Sequence, residues 1–156
     1  MITSCGFLIE SSGMVLLCHA TNGFKKPSKN DFKYGIPKGQ IDNNEMFLDT
    51  AIRELREETG LDLLDQPKDI KVSDNFVSVI YKSGKKTLKV FKVIDETGIL
   101  LKFPFSCNSY FEYKGKTLPE IDSFIWVKYD IAMAICIKGQ RELFDINRQT
   151  LWKFNE

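Results

Sequence analysis

The chain has 156 residues, 43% of them hydrophobic and 28% charged, and its 22 Lys and Arg against 21 Asp and Glu leave a net charge of +1. That balance fits a single globular domain over residues 1–156, with a core burying about 70% of the unfolded surface, and it excludes a global electrostatic pull toward nucleic acid or membrane. No apolar run approaches the roughly 20 residues of a membrane span, residues 1–10 carry no basic leader-type stretch, and the four scattered cysteines (Cys5, Cys18, Cys107 and Cys136) read as reduced core thiols, so a cytoplasmic protein is expected.

Thr3 to Ile9 and Met14 to Ala20 are short apolar runs that predict a hairpin turning at Ser11-Ser12-Gly13. His19, the only histidine, stands in the strand-like Leu16–Ala20 and reads as a structural polar residue, so a histidine-based mechanism is not expected. A polar loop from Thr21 to Lys33 carries Lys25, Lys26, Lys29 and Lys33. Gly35-Ile36-Pro37-Lys38-Gly39 then reads as a strand end turning sharply, with Pro37 fixing one dihedral and Gly39 free to take a positive φ. From about Met46 to Thr59, Leu48, Ile52 and Leu55 recur at i, i+4 and i+7, which predicts an amphipathic helix closed by a left-handed Gly60. Met46 is a poor cap, leaving either Asn43 or Asn44 to cap the helix or a loose first turn.

Val72 to Tyr81 and Thr87 to Ile94 predict two strands joined around Ser83-Gly84-Lys85. Asp95 to Pro119 is an aromatic-rich variable region with Phe103, Phe105, Tyr110, Phe111 and Tyr113. Ile121 to Val127 reads as a last strand, and Ile131 to Ile137 and Glu142 to Phe154 as two closing helices. Strands on both sides of one amphipathic helix, closed by further helices, predict an α/β (α+β) fold with a mixed sheet sandwiched between helices.

The helix carries the chemistry. Glu54, Glu57 and Glu58 stand at i, i+3 and i+4, so their side chains leave within an arc of roughly 100° beside the buried stripe and are expected to converge. Like charges that close repel, and a divalent cation removes the conflict. Oxygen-only ligands suit Mg²⁺ or Mn²⁺ rather than zinc, and magnesium shares its shell with substrate phosphates. The alternative is a solvated acidic face neutralised by Arg53 and Arg56; Gly39, Glu45, Arg53 and Gly60, all in register, argue against it. Arg53 reads as a clamp whose planar fork holds neighbouring carboxylates in position.

Written out, Gly39, five residues, Glu45, seven residues and Arg53-Glu54-Leu55-Arg56-Glu57-Glu58-Thr59-Gly60-Leu61 fill all nine specified positions of the Nudix box. The chain therefore resembles the Nudix hydrolases. The resemblance implies the Nudix fold and hydrolysis of a nucleoside diphosphate linked to another group, by water attack on phosphorus. It implies a metal ligand from the backbone carbonyl of Lys38, direct ligation by Glu57 and Glu58, and for Glu54 either ligation or orientation of the water. A further glutamate from outside the box is expected, with Glu120 in Thr117–Asp122 the first candidate and Glu112 the second; the bland reading of Glu120 is an exposed residue at a strand entrance.

The flanks resemble the asymmetric diadenosine tetraphosphate hydrolase branch at Ser4–Ile9, His19–Gly23 and Tyr34–Gly39, although that branch often has tryptophan where Tyr34 stands and lacks so long a lysine loop. Pro119-Glu120-Ile121-Asp122, Trp126-Val127 and Gly139-Gln140 are similar to small Nudix proteins of mixed substrates. Dinucleoside polyphosphates lead the substrate expectation, ahead of ADP-ribose-type substrates, nucleoside triphosphates and the 5′ end of RNA. Lys25, Lys26 and Lys33 either contact substrate phosphates or merely solvate the loop, and Tyr34, Tyr110, Phe111 and Tyr113 are available to stack on a base or to pack. A nucleotide-sensing binding module without hydrolysis is the non-enzyme alternative.

Overall fold

In the computed structural model, residues 1–21, 33–81 and 83–155 are described. Lys25, Lys26 and Lys29, and with them most of the lysine loop, lie outside the described residues.

Strand β1 (Ile2–Ser11) turns into β2 (Met14–Ala20) as the hairpin signals predict, with Ser11 opposite Met14. The two strands then part. β1 pairs in parallel with β7 (Lys86–Asp95) from Ile2 opposite Lys86 to Ser11 opposite Asp95, and this parallel pair at the centre makes the sheet mixed. β2 pairs antiparallel with β10 (Ile121–Val127) and with the short β3 (Tyr34–Gly35), while β4 (Lys38–Gln40) pairs with β1.

Where one strand was expected over Val72–Tyr81, two form, β5 (Ile70–Val72) and β6 (Val77–Ile80), both antiparallel to β7. The break has a polar cause. The Lys92 N–H donates to Ser73 Oγ at 2.9 Å and the same hydroxyl donates to the Asn75 carbonyl, so Ser73 interrupts the ladder. The aromatic region forms a separate hairpin of β8 (Tyr110–Tyr113) and β9 (Lys116–Pro119).

Period-two burial splits the sheet between two cores. Cys5, Phe7, Ile9 and Leu16 face α1 (Phe47–Thr59), where Ala51 and Leu55, with Leu61 just past the helix, complete a layer with Phe91 and Val93. Leu8, Val15 and Leu17 face the opposite side, against α2 (Tyr129–Ile135), Leu143, Phe144 and Trp152. The expected helix over Glu142–Phe154 is instead a pair of 3₁₀ segments, Lys138–Phe144 and Ile146–Leu151. Asp145 separates them in an extended conformation, its carboxylate accepting from the Asn147 N–H, and this local bond competes with a continuous helix. No helix among the described residues is long and apolar enough to cross a membrane.

Candidate active site

Helix α1 presents the carboxylates. Its buried stripe is Ala51 and Leu55 with Phe47 packed alongside, and Leu48, expected inside, is exposed. The stripe is rotated so that Glu58 is only 8% exposed. Gly60 ends the helix at φ 80°, as predicted. Neither asparagine caps the start: Met46 is the N-cap residue without a side-chain bond, and Glu45 anchors the first turn by accepting from the Asp42 N–H and the Thr50 hydroxyl, both at 3.0 Å.

Arg53 is the clamp the spacing suggested. Its Nε and Nη2 donate to the two oxygens of Glu45 at 2.9 Å each, Nη1 reaches Glu54 at 2.8 Å and Glu57 at 3.3 Å, and Nη2 also meets the Gln40 carbonyl at 3.1 Å. The guanidinium holds the Glu45 carboxyl down at about 2, and the Glu45 hydrogen bonds raise the pKa of Arg53 further above its already high value.

Glu54 and Glu58 are shifted the other way. Burial pushes Glu58 up to about 8, against the opposing influence of its hydrogen bond from the Lys38 N–H at 3.0 Å and of the Lys38 charge, and with Glu54 and Glu120 adding like-charge repulsion. Burial likewise raises Glu54, partly offset by Arg53 and reinforced by Glu57 and Glu120. Glu120 thus acts on both box glutamates from a bend after β9, held by its N–H to the Ser109 carbonyl and by the Thr21 N–H to its own carbonyl. Glu112 stays within the β8–β9 hairpin, bonded to the Thr117 hydroxyl.

Gly39 is in the strand, with an ordinary φ, and does not use the freedom to take a positive one. Its requirement is space: a Cβ there would lie 1.9 Å from Glu54 Cδ. The expected convergence of Glu54, Glu57 and Glu58 on one point is not what the side chains do. Arg53 draws Glu54 and Glu57, the Lys38 amide holds Glu58, and among the described residues no three His, Cys, Asp or Glu side chains gather closely enough to hold an ion. The donor chemistry nonetheless suits a hard divalent cation, because Glu58 is buried and Glu54 partly so, and a cation would relieve their like charges.

Beside Glu58 opens a small cavity of about 140 Å³, lined by Lys33, Lys38, Gly35, Cys18, Ile121 and Gln140 among others. Lys33 therefore lies at the site, whereas the Tyr34 ring packs on the opposite core and edge-on to His19, 4.9 Å between centroids. Tyr113 is in the β8–β9 hairpin under the Lys114 ammonium. His19 pairs with Asp122 at 2.7 Å. Gln140 lines the cavity fully buried, and no periodicity marked it; the only sequence signal was the Gly139-Gln140 flank match.

Known proteins are similar to this chain in sequence and in fold. The NUDIX domain family matches residues 2–136. An uncharacterized 17.7 kDa protein from the e-segB intergenic region of Enterobacteria phage T4 is 30% identical over 128 residues, covering 78% of each chain. Among solved structures, a C. elegans Ap4A hydrolase binary complex aligns with a TM-score of 0.65 at 18% identity over 92% of this chain and 93% of that one. The NUDIX domain of Shewanella oneidensis NrtR, complexed with ADP ribose, aligns with a TM-score of 0.63 at 15% identity over 97% and 88%. At these identities the structures establish the fold, a mixed sheet between helices, while the family match and the complete box establish the class. The chain belongs to the Nudix family, hydrolases that act on phosphoanhydride bonds and typically use a divalent metal.

Proposed function

We propose that this Nudix hydrolase cleaves dinucleoside polyphosphates, of which diadenosine tetraphosphate is the best candidate, with Mg²⁺ or alternatively Mn²⁺ held by Glu57, Glu58 and the Lys38 carbonyl. Glu54 serves either as a further ligand or as the group that orients the attacking water. The observation that carries the reading is geometric: Arg53 holds Glu54 and Glu57 beside Glu58, and Glu58 lines a cavity that also has Lys33 and Lys38 on its wall.

A bound magnesium would supply charge neutralisation at the phosphoryl oxygens and a lowered pKa for water. The chain's own residues do the rest. Arg53 fixes Glu54 and Glu57. Lys33 and Lys38 offer positive charge to the phosphates, a task that Lys25 and Lys26 would share, and Glu120 receives or orients a proton at its carboxylate. Glu54 and Glu58 are coupled like charges, so the base is a property of the pair rather than of either residue. Tyr113 and Tyr34 remain candidates for base contact, the Tyr34 ring lying against His19 and the Tyr113 ring against the Lys114 ammonium.

Support for the substrate class comes from the flank matches and from the Ap4A hydrolase among similar structures. The NrtR complex with ADP ribose supports a second reading, ADP-ribose-type substrates. RNA 5′ ends fit less well with a net charge of +1. A panel of dinucleoside polyphosphates, ADP-ribose, nucleoside triphosphates and triphosphorylated oligonucleotide, incubated with Mg²⁺ in heavy-oxygen water, ranks the substrates and reports which phosphorus is attacked. Fastest turnover on ADP-ribose or on RNA would overturn the dinucleotide assignment. Glu57→Gln should fold normally and lose at least about 10²-fold in turnover; wild-type turnover in that variant would remove Glu57 from the machinery.

A further inference from the structure

Four residues past the last strand pairing of the C-terminal segment, a glutamine amide takes over where the backbone stops. Tyr34 and Cys136 form a parallel bridge and the Ile137 N–H donates to the Tyr34 carbonyl at 2.9 Å. The next donor along, the Ile36 N–H, is met by the Gln140 side-chain oxygen, also at 2.9 Å, and the Gln140 amide group donates to the Tyr81 hydroxyl at 3.3 Å. Gln140 is 0% exposed, so both of its polar atoms are satisfied by protein rather than by water. Gly35 leaves the room: a Cβ there would sit 2.9 Å from that same Gln140 oxygen.

Two residues beyond Ile36, the Lys38 N–H donates to Glu58. Pro37 lies between them with no N–H of its own, and its ring restricts the path of the chain, so the position of the Lys38 amide follows from that of Ile36. Gln140 belongs to the 3₁₀ segment Lys138–Phe144, outside the stretch 2–136 that matches the family.

We propose that Gln140 is a positioning residue for catalysis, setting the Ile36–Lys38 loop, and through it the Glu58 carboxylate, from the C-terminal segment. It touches no reacting atom. Its removal lets the loop shift, and small misplacements in such a site cost turnover rather than affinity. The inference rests on the reading of Glu58 and Lys38 as parts of the active site.

The test compares Gln140→Met with Gln149→Leu. Gln149 is another C-terminal glutamine, donating to the Leu143 and Asp145 carbonyls at 2.9 Å and not among the residues that line the cavity. With the best substrate of the wild-type panel, Gln140→Met should lower kcat at least about tenfold with KM within about twofold. Hydrogen exchange in metal-free protein should show the Ile36 and Lys38 amides both exchanging faster. Gln149→Leu should lower Tm while leaving kcat and those two amides unchanged. Should Gln140→Met fail to fold, Gly35→Ala strains the same hydrogen bond and carries the same readouts. Wild-type kcat in a folded Gln140→Met, or unchanged Lys38 exchange, would overturn the inference. An inactive wild type on every substrate would instead overturn the proposed function.

Discussion

Asp95 closes the end of β7, and its removal gives a stability change whose size follows from its partners. One carboxylate oxygen accepts from the Ser11 hydroxyl at 2.8 Å and the Leu100 N–H at 2.9 Å; the other accepts from the Thr97 N–H at 2.9 Å and its hydroxyl at 2.5 Å. Asp95 is 1% exposed, and Ser11 and Leu100 are fully buried, while Thr97 is at the surface. In Asp95→Ala the Thr97 groups turn to water at little cost. The Ser11 hydroxyl and the Leu100 N–H lose their partner inside the protein, at about 1–3 kcal/mol each, so the variant should lose about 3 kcal/mol. For a chain of this length that corresponds to a fall in Tm of roughly 6–12 °C. Ser11→Ala, which removes a single donor, should cost about 1 kcal/mol.

The effect has a pH signature. Burial alone would raise the Asp95 carboxyl, but the hydrogen bonds from Thr97, Leu100 and Ser11 outweigh it and bring the group below its ordinary value. A carboxyl lowered in the folded state stabilises above its unfolded pKa of about 3.9 and loses that contribution as pH falls through the folded value. Urea denaturation of wild type and Asp95→Ala at neutral pH and in steps down to about pH 3 should therefore show the gap between them narrowing in acid. A gap under about 1 kcal/mol at neutral pH, or one that does not narrow, would refute the accounting.

Gly39→Ala should leave the helix formed but force the Glu54 side chain out of its place, lowering kcat at least about tenfold with far-UV circular dichroism unchanged. Arg53→Lys keeps the charge but cannot bond both Glu45 oxygens while reaching Glu54 and Glu57; turnover should fall by about tenfold and Tm with it, and equal turnover would show that the fork is dispensable. Trp152→Phe removes the buried bond from its ring N–H to the Val90 carbonyl at 2.8 Å and should cost about 1–2 kcal/mol in denaturant titration, with kcat unaltered.

The chain alone determined the family, the helix that bears the carboxylates, its left-handed stop at Gly60 and the clamping fork of Arg53, because all of these depend on spacings within one local element, where periodicity and charge repeat every turn. β1, β2 and β10 were legible for the same reason: short apolar runs bounded by turns. Tertiary structure decided the rest. Which face of α1 is buried depends on how the helix docks, and docking turned Leu48 outward and Glu58 in. Gly39 proved necessary for a side chain fifteen residues away along the chain, a closeness no local pattern encodes. Gln140 meets the Ile36 amide from a 3₁₀ segment more than a hundred residues further along the chain, and a contact between residues so distant in sequence leaves no periodic trace in it.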